Sequence, residues 1–202
     1  MLIGISLGPG DPLLMTFKAA EALKGCSKVF VPGEMAALLV KPYCVPEVLS
    51  FPMIDDPQRL MDVWSRNADI VAAYAAHGPA GFACIGDVNT FSTFGHLKRV
   101  VKQRHPEIEV ETIPGVGIVP ALASRFGHSL EKSFEVSDGS EVESVIRVKA
   151  TRPRRIAEDL RARGFDDFAL GIRLYAKDEQ IIRDEMPETS DYFSVLLARR
   201  RK

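Results

Sequence analysis

The sequence predicts an α/β protein in two domains, a mostly parallel N-terminal sheet followed by a mixed C-terminal α/β domain. Three observations carry this. Short apolar runs alternate with amphipathic helical stretches through the first half, as in a parallel sheet built with crossover helices. Three of those runs end in glycine-containing loops. In the second half, strand-like runs surround one clear helix.

Leu2 to Leu7 is apolar and flanked by glycines, and it reads as a buried strand ending in a glycine-proline turn. From Pro12 to Lys24, Leu14, Phe17, Ala20 and Leu23 recur at helical spacing, with Asp11 as N-cap and Pro12 at the first helical position. Lys28 to Pro32 is a second strand, and Leu38 to Tyr43 fits either state. Pro57 to His77 is a long amphipathic helix. The strand Gly81 to Ile85 precedes a helix over Phe94 to Arg104, and Glu109 to Ile113 is the next strand. Beyond it come a helix near Val119 to Arg125, strand-like runs at Ser133–Val136, Ser144–Val148, Phe168–Leu174 and Tyr192–Ala198, and a helix over Arg152 to Arg163. Gln180–Asp184 and Tyr192–Leu197 are spaced like an antiparallel pair. The boundary is expected near Pro114 to Ile118, giving domains 1–115 and 116–202.

The composition excludes several function classes. At 202 residues and 46% hydrophobic, the chain can bury a substantial core. With a net charge of -1, it lacks the basic excess of a nucleic-acid binder, and Arg199-Arg200-Arg201-Lys202 reads as a solvated tail. Cys26, Cys44 and Cys84 form no CxxC pair and read as free thiols in a reducing cytoplasm. The four histidines show no HxxH or HExxH spacing, so no protein metal site is expected. There is no apolar run of bilayer length and no leader at the N-terminus, so a cytoplasmic protein off the membrane is expected.

The chemistry concentrates in Gly8-Pro9-Gly10-Asp11, Gly86-Asp87-Val88 and Pro114-Gly115-Val116-Gly117. Open α/β sheets bind ligands at the carboxyl ends of their strands, where glycine lets the backbone approach closely. Each loop taken alone also reads as a tight turn. The first is not a dinucleotide fingerprint, because the second strand ends in Val31-Pro32-Gly33 with no carboxylate at its tip. It is not a phosphate loop either, since no Gly-Lys-Ser/Thr follows.

In order along the whole chain, these segments resemble the tetrapyrrole methylases. That family includes the precorrin methyltransferases, uroporphyrinogen-III methyltransferase and diphthine synthase. Gly8-Pro9-Gly10-Asp11-Pro12-Leu13-Leu14-Met15-Thr16-Phe17-Lys18-Ala19 is similar to the family opening GxGPGDPxLLTxKA. Gly86-Asp87-Val88-Asn89-Thr90-Phe91-Ser92 is similar to GDPxxYS, with Val88 in place of proline. Ile113-Pro114-Gly115-Val116-Gly117-Ile118 is similar to IPGVSS, with Gly117 and Ile118 in place of small hydroxyl residues. Val40-Lys41-Pro42-Tyr43, the stretch Leu49 to Asp56, Phe91-Ser92-Thr93-Phe94 and Asp191 to Arg199 resemble the branch that methylates C20 of precorrin-2 or cobalt-factor II.

The resemblance implies the two-domain tetrapyrrole-methylase fold with its active site in the cleft between the domains, and a homodimer. It implies a C-methyltransferase of cobalamin biosynthesis that uses S-adenosylmethionine and releases S-adenosylhomocysteine. Pro9, Ile85, Gly86, Asp87, Ser92, Thr93, Gly117 and Ile118 would meet the cofactor. Val148 and Leu174 would meet its adenine, or else are plain core. Asp11 would face the substrate as the catalytic polar group, or else only cap the first helix. A carboxylate-rich tetrapyrrole calls for cations, with Lys18, Lys41, Arg99, Arg152 and Arg154 as candidates. Two other readings stay open: methylation of another tetrapyrrole position or of uroporphyrinogen III, and a non-catalytic protein that holds the cofactor or a tetrapyrrole.

Overall fold

The computed structural model describes residues 1–52 and 55–201. The chain divides into two compact units, Met1–Phe134 and Glu135–Lys202.

The first unit is built on a five-stranded sheet of β1 (Leu2–Ser6), β2 (Lys28–Val31), β3 (Glu47–Val48), β4 (Ala80–Cys84) and β5 (Val110–Ile113). Their order is β3-β2-β4-β1-β5, and every pair is parallel. Helices α1 (Phe17–Gly25), α2 (Glu34–Val40), α3 (Pro57–Ala75), α4 (Thr93–Arg104) and α5 (Ile118–Phe126) complete it. Side chains alternate across a strand, so the sheet has two apolar faces and needs cover on both. On one face Ile5, Leu7, Val29 and Val31 pack against Ala19 and Leu23 of α1 and Ala36, Leu39 and Val40 of α2. On the other, Leu2, Phe30 and Phe82 pack against Ala68, Val71 and Ala72 of α3 and Phe94 and Leu97 of α4. α5 belongs to this unit, although it follows the boundary read from the sequence.

The second unit holds β6 (Ser144–Val148), α6 (Pro153–Arg161), β7 (Asp167–Ile172), β8 (Gln180–Arg183) and β9 (Ser194–Arg199). Its sheet runs β6-β9-β7-β8, with each neighbouring pair antiparallel. Its core joins Ala157 and Leu160 of α6 to Phe168, Leu170, Leu196 and Ala198 of the sheet.

Three sequence expectations need correction. The helix expected over residues 12–24 is interrupted. Pro12–Leu14 is one 3-10 turn, the backbone is extended at Met15, and Thr16 restarts the helix with its Oγ1 accepting from the Ala19 N–H at 3.2 Å. The helical spacing of apolar residues misled here, because Leu14 and Phe17 are 43% and 95% exposed. Ser133–Val136 forms no strand: its apolar residues Phe134 and Val136 are exposed, and no neighbouring strand pairs with it. Gln180–Arg183 does not pair with the last strand, because β7 lies between them. The long connection from β8 to β9 leaves room for that exchange. The ambiguous stretch after Gly33 resolves as α2.

An ion cluster ties α3 to the end of α4. Asp69 receives Arg104 at 2.7 Å and His105 Nε2 at 2.7 Å. The two donors, the arginine first, hold the Asp69 carboxyl down at about 2. A carboxylate whose folded pKa is depressed stabilises the fold above its unfolded pKa and loses that contribution as pH falls. Asp69→Asn should therefore lower the urea midpoint at pH 6, and the gap to wild type should close between pH 4 and pH 2. The effect is small because the Asp69 side chain is 44% exposed.

Candidate active site at the carboxyl edge of the parallel sheet

β1 leads over one face of the sheet to α1, whereas β4 leads over the other face to α4. The two strands are neighbours. Their carboxyl ends are thus the point where the connections diverge, which is where open α/β sheets form a ligand crevice. β5 lies on the other side of β1, so the three glycine loops expected from the sequence sit side by side.

They are also bonded together. The Gly86 N–H donates to the Gly8 carbonyl at 2.7 Å, and the Gly8 N–H returns a bond to the Gly86 carbonyl at 3.2 Å. Both glycines have positive φ, 74° and 79°. A side chain on Gly8 would come within 2.7 Å of the Leu14 carbonyl oxygen. Beneath them Ser6, the last residue of β1, is fully buried. Its Oγ donates to the Ile113 carbonyl at 2.7 Å and accepts from the Val88 N–H at 3.0 Å. Asp87 adds a second tie, with Oδ2 accepting from the Gly115 N–H at 3.0 Å and Oδ1 from the Asn89 N–H at 2.9 Å. Gly115 must lack a side chain, since a Cβ there would stand 2.5 Å from the Ser6 Cβ.

Of the expected cofactor residues, Pro9, Ile85, Gly86, Asp87, Ser92, Thr93 and Gly117 are half-buried along this edge and Ile118 is exposed. Gly117 is close to Asp87, where an added Cβ would meet the Asp87 Cβ at 3.7 Å. The Ser92 hydroxyl donates to the Val88 carbonyl. Asp11 does cap: its Oδ1 accepts from the Leu13 N–H at 2.9 Å, on the 3-10 turn rather than on α1. Among the described residues no group bonds its Oδ2, so one carboxylate oxygen stays free.

Val148 and Leu174 are not core residues. They are 67% and 46% exposed and line a mostly apolar pocket of about 620 Å³ within the second unit, with Lys149, Arg173, Tyr192 and Phe193. Lys149 and Arg173 hold φ at 54° and 49°, a region that non-glycine residues seldom adopt. Gly171 makes room for Leu174, which a Cβ there would strike at 2.5 Å.

The expected cations are scattered. Lys18, Lys41 and Arg152 are exposed. Arg99 meets His96 Nδ1 at 3.2 Å, and Arg154 Nε donates to the Met186 carbonyl at 3.3 Å. Met53 and Ile54, within the stretch resembling the C20 branch, lie outside the described residues. Sequence reasoning missed Ser6, the tie made by the Asp87 carboxylate, and the aromatic rim of the second pocket. A serine ending an otherwise apolar strand beside three glycine loops was the available signal for Ser6. Among the described residues, no group of three or more His, Cys, Asp or Glu is placed to hold a metal ion, and no helix is long and apolar enough to cross a membrane.

Comparisons with known proteins agree with this architecture. The family profile described as Tetrapyrrole (Corrin/Porphyrin) Methylases matches residues 1–188. The chain is 29% identical over 224 aligned residues to a Methanocaldococcus jannaschii protein named "Probable cobalt-precorrin-2 C(20)-methyltransferase", covering 98% of this chain and 96% of that protein. It is 32% identical over 135 residues to the cobalt-precorrin-2 C(20)-methyltransferase of Salmonella typhimurium, covering 61% of this chain and 56% of that one. In fold it is similar to the precorrin-6Y methylase of Archaeoglobus fulgidus, with a TM-score of 0.50 at 14% identity over 100% of this chain and 99% of that one. A sheet of this strand order, three bonded glycine loops at its carboxyl edge and a match over nearly the full length lead to one conclusion: the chain belongs to the tetrapyrrole (corrin/porphyrin) methylases, a family of S-adenosylmethionine-dependent methyltransferases.

Proposed function

We propose that this protein methylates C20 of precorrin-2, or of its cobalt-containing form, during construction of the corrin ring. The observation that carries this is the end-to-end match to a relative named for that reaction, over 98% of this chain and 96% of that protein. When bound, S-adenosylmethionine supplies a methyl already made electrophilic by its sulfonium. The protein's task is then alignment and exclusion of water.

The residues present fit such a cofactor. The glycine loops give backbone a close approach, and the apolar pocket around Val148 and Leu174 suits a flat adenine ring. In this reading Pro9, Ile85, Gly86, Asp87, Ser92, Thr93, Gly117 and Ile118 hold the methionine and ribose parts, mostly through backbone. Asp11 keeps one carboxylate oxygen on its cap and turns the other to the substrate, where it orients the macrocycle or takes a proton. The reading includes a cytoplasmic homodimer, whose mass sedimentation would read.

The test is incubation of the purified protein with labelled S-adenosylmethionine and precorrin-2, with and without cobalt. The expected product is one methyl heavier, with the label at C20 by NMR. Label at another ring carbon would keep the reaction and change the position. No transfer to either macrocycle would overturn the proposal.

A further inference from the structure

α3 is longer than the sheet it covers. Its 19 residues span about 28 Å, whereas the five of β4 span about 17 Å. The buried residues of α3, Asn67, Ala68, Val71, Ala72 and Ala75, all lie in its second half. Both α3 and α4 begin at the carboxyl edge of the sheet, and Trp64 and His96 stack with ring centroids 5.5 Å apart. Trp64 is seven residues past the start of α3, and His96 three past the start of α4. The first turns of α3 therefore project past the part of the helix that packs on the sheet, on the side of the carboxyl edge where α4 also begins.

Against these turns a cavity of about 590 Å³ is lined by Ser50, Pro52, Arg59, Asp62, Val63 and Arg66. The buried Asn67 fixes its floor, donating through Nδ2 to the Ser50 carbonyl at 2.9 Å. Arg59 and Arg66 are seven residues apart and so share one helix face. Among the described residues neither guanidinium is in an ion pair. Asp62, which lies between them in sequence, instead accepts from Gln58 Nε2 at 3.3 Å. The lining carries two arginines against one aspartate, with the Asp56 carboxylate nearby committed to the Arg59 N–H at 3.0 Å, and the guanidinium fork matches a carboxylate with two parallel bonds.

We propose that this cavity binds a carboxylate-bearing arm of the tetrapyrrole, with Arg59 and Arg66 as specificity-determining residues that fix how the macrocycle lies over the glycine loops. The inference rests on the reading that the substrate is a tetrapyrrole.

Trp64 is the only tryptophan of the chain and neighbours the cavity residue Val63. Quenching of its fluorescence by an octacarboxylate porphyrin therefore gives a Kd without turnover. Arg59→Ala and Arg66→Ala should each raise that Kd roughly tenfold or more, the loss expected for a charge-assisted contact. Arg66→Lys should recover part of the loss, and Asp62→Asn should tighten binding. The affinity for S-adenosylmethionine, read by calorimetry, should not move in any of them. With the methyl-esterified porphyrin, wild type and variants should bind alike. If wild type binds the octacarboxylate and the arginine variants bind it equally well, the subsite is overturned and the tetrapyrrole reading stands. If wild type binds no porphyrin and methylates no macrocycle, the reading fails and takes the subsite with it.

Discussion

Gly115→Ala should destabilise the protein by about 1–3 kcal/mol and abolish methyl transfer. The new Cβ would stand 2.5 Å from the Ser6 Cβ, and Ser6 cannot retreat because it is fully buried. Its hydroxyl is also committed on both sides, to the Ile113 carbonyl and the Val88 N–H. Relief must come from the backbone, through a shift of β5's end away from β1. That shift would break the Gly115 N–H bond to Asp87 and move Gly117. Urea unfolding should show a lower midpoint with an unchanged m-value, and activity should fall further than the loss of folded protein explains. An unchanged midpoint would mean that the loops are looser than this geometry requires.

Asp87→Asn is expected to cost about 1.5–3 kcal/mol, the range for hydrogen bonds to a charged group. The side chain keeps its shape but not its chemistry. The carboxylate accepts the Gly115 N–H with one oxygen and the Asn89 N–H with the other. An amide has only one acceptor, so its NH₂ must face one of those donors. Whichever way the amide turns, one loop loses its tie. Thermal or urea unfolding reads the stability, and the KM for S-adenosylmethionine reads the site. Both should worsen, whereas the surface change Asp69→Asn should leave KM unaltered.

The elements with strong periodicity are legible in the sequence alone. The long amphipathic helix expected from Pro57 forms as α3, and the strand before each glycine loop is short and apolar. Illegible features depend on partners distant in sequence. The interruption at Met15 and Thr16 is the local exception: it hides under a helical spacing of apolar residues, because Leu14 and Phe17 are apolar yet turned to solvent. The placement of β7 between β8 and β9 is a choice of ladder that spacing alone cannot make. For the site, the glycines announced the loops. The serine showed only as a polar end to an apolar strand and the aspartate only as part of its glycine loop; the bonds by which they join the loops, such as the one between residues 6 and 113, leave no local pattern. Val148 and Leu174 read in the sequence either as adenine contacts or as plain core, and their exposure removes the core reading.

The paired bonds between Gly8 and Gly86 have a consequence for the thermodynamics of ligand capture. Loops that must be ordered by a ligand consume part of its binding free energy. Here the mouths of β1 and β4 already satisfy each other's backbone groups, with Ser6 and Asp87 fixing the third loop against them. The entropy lost in ordering this edge belongs to folding rather than to binding. A small molecule arriving there meets a floor already set, and its contacts contribute to affinity nearly undiminished.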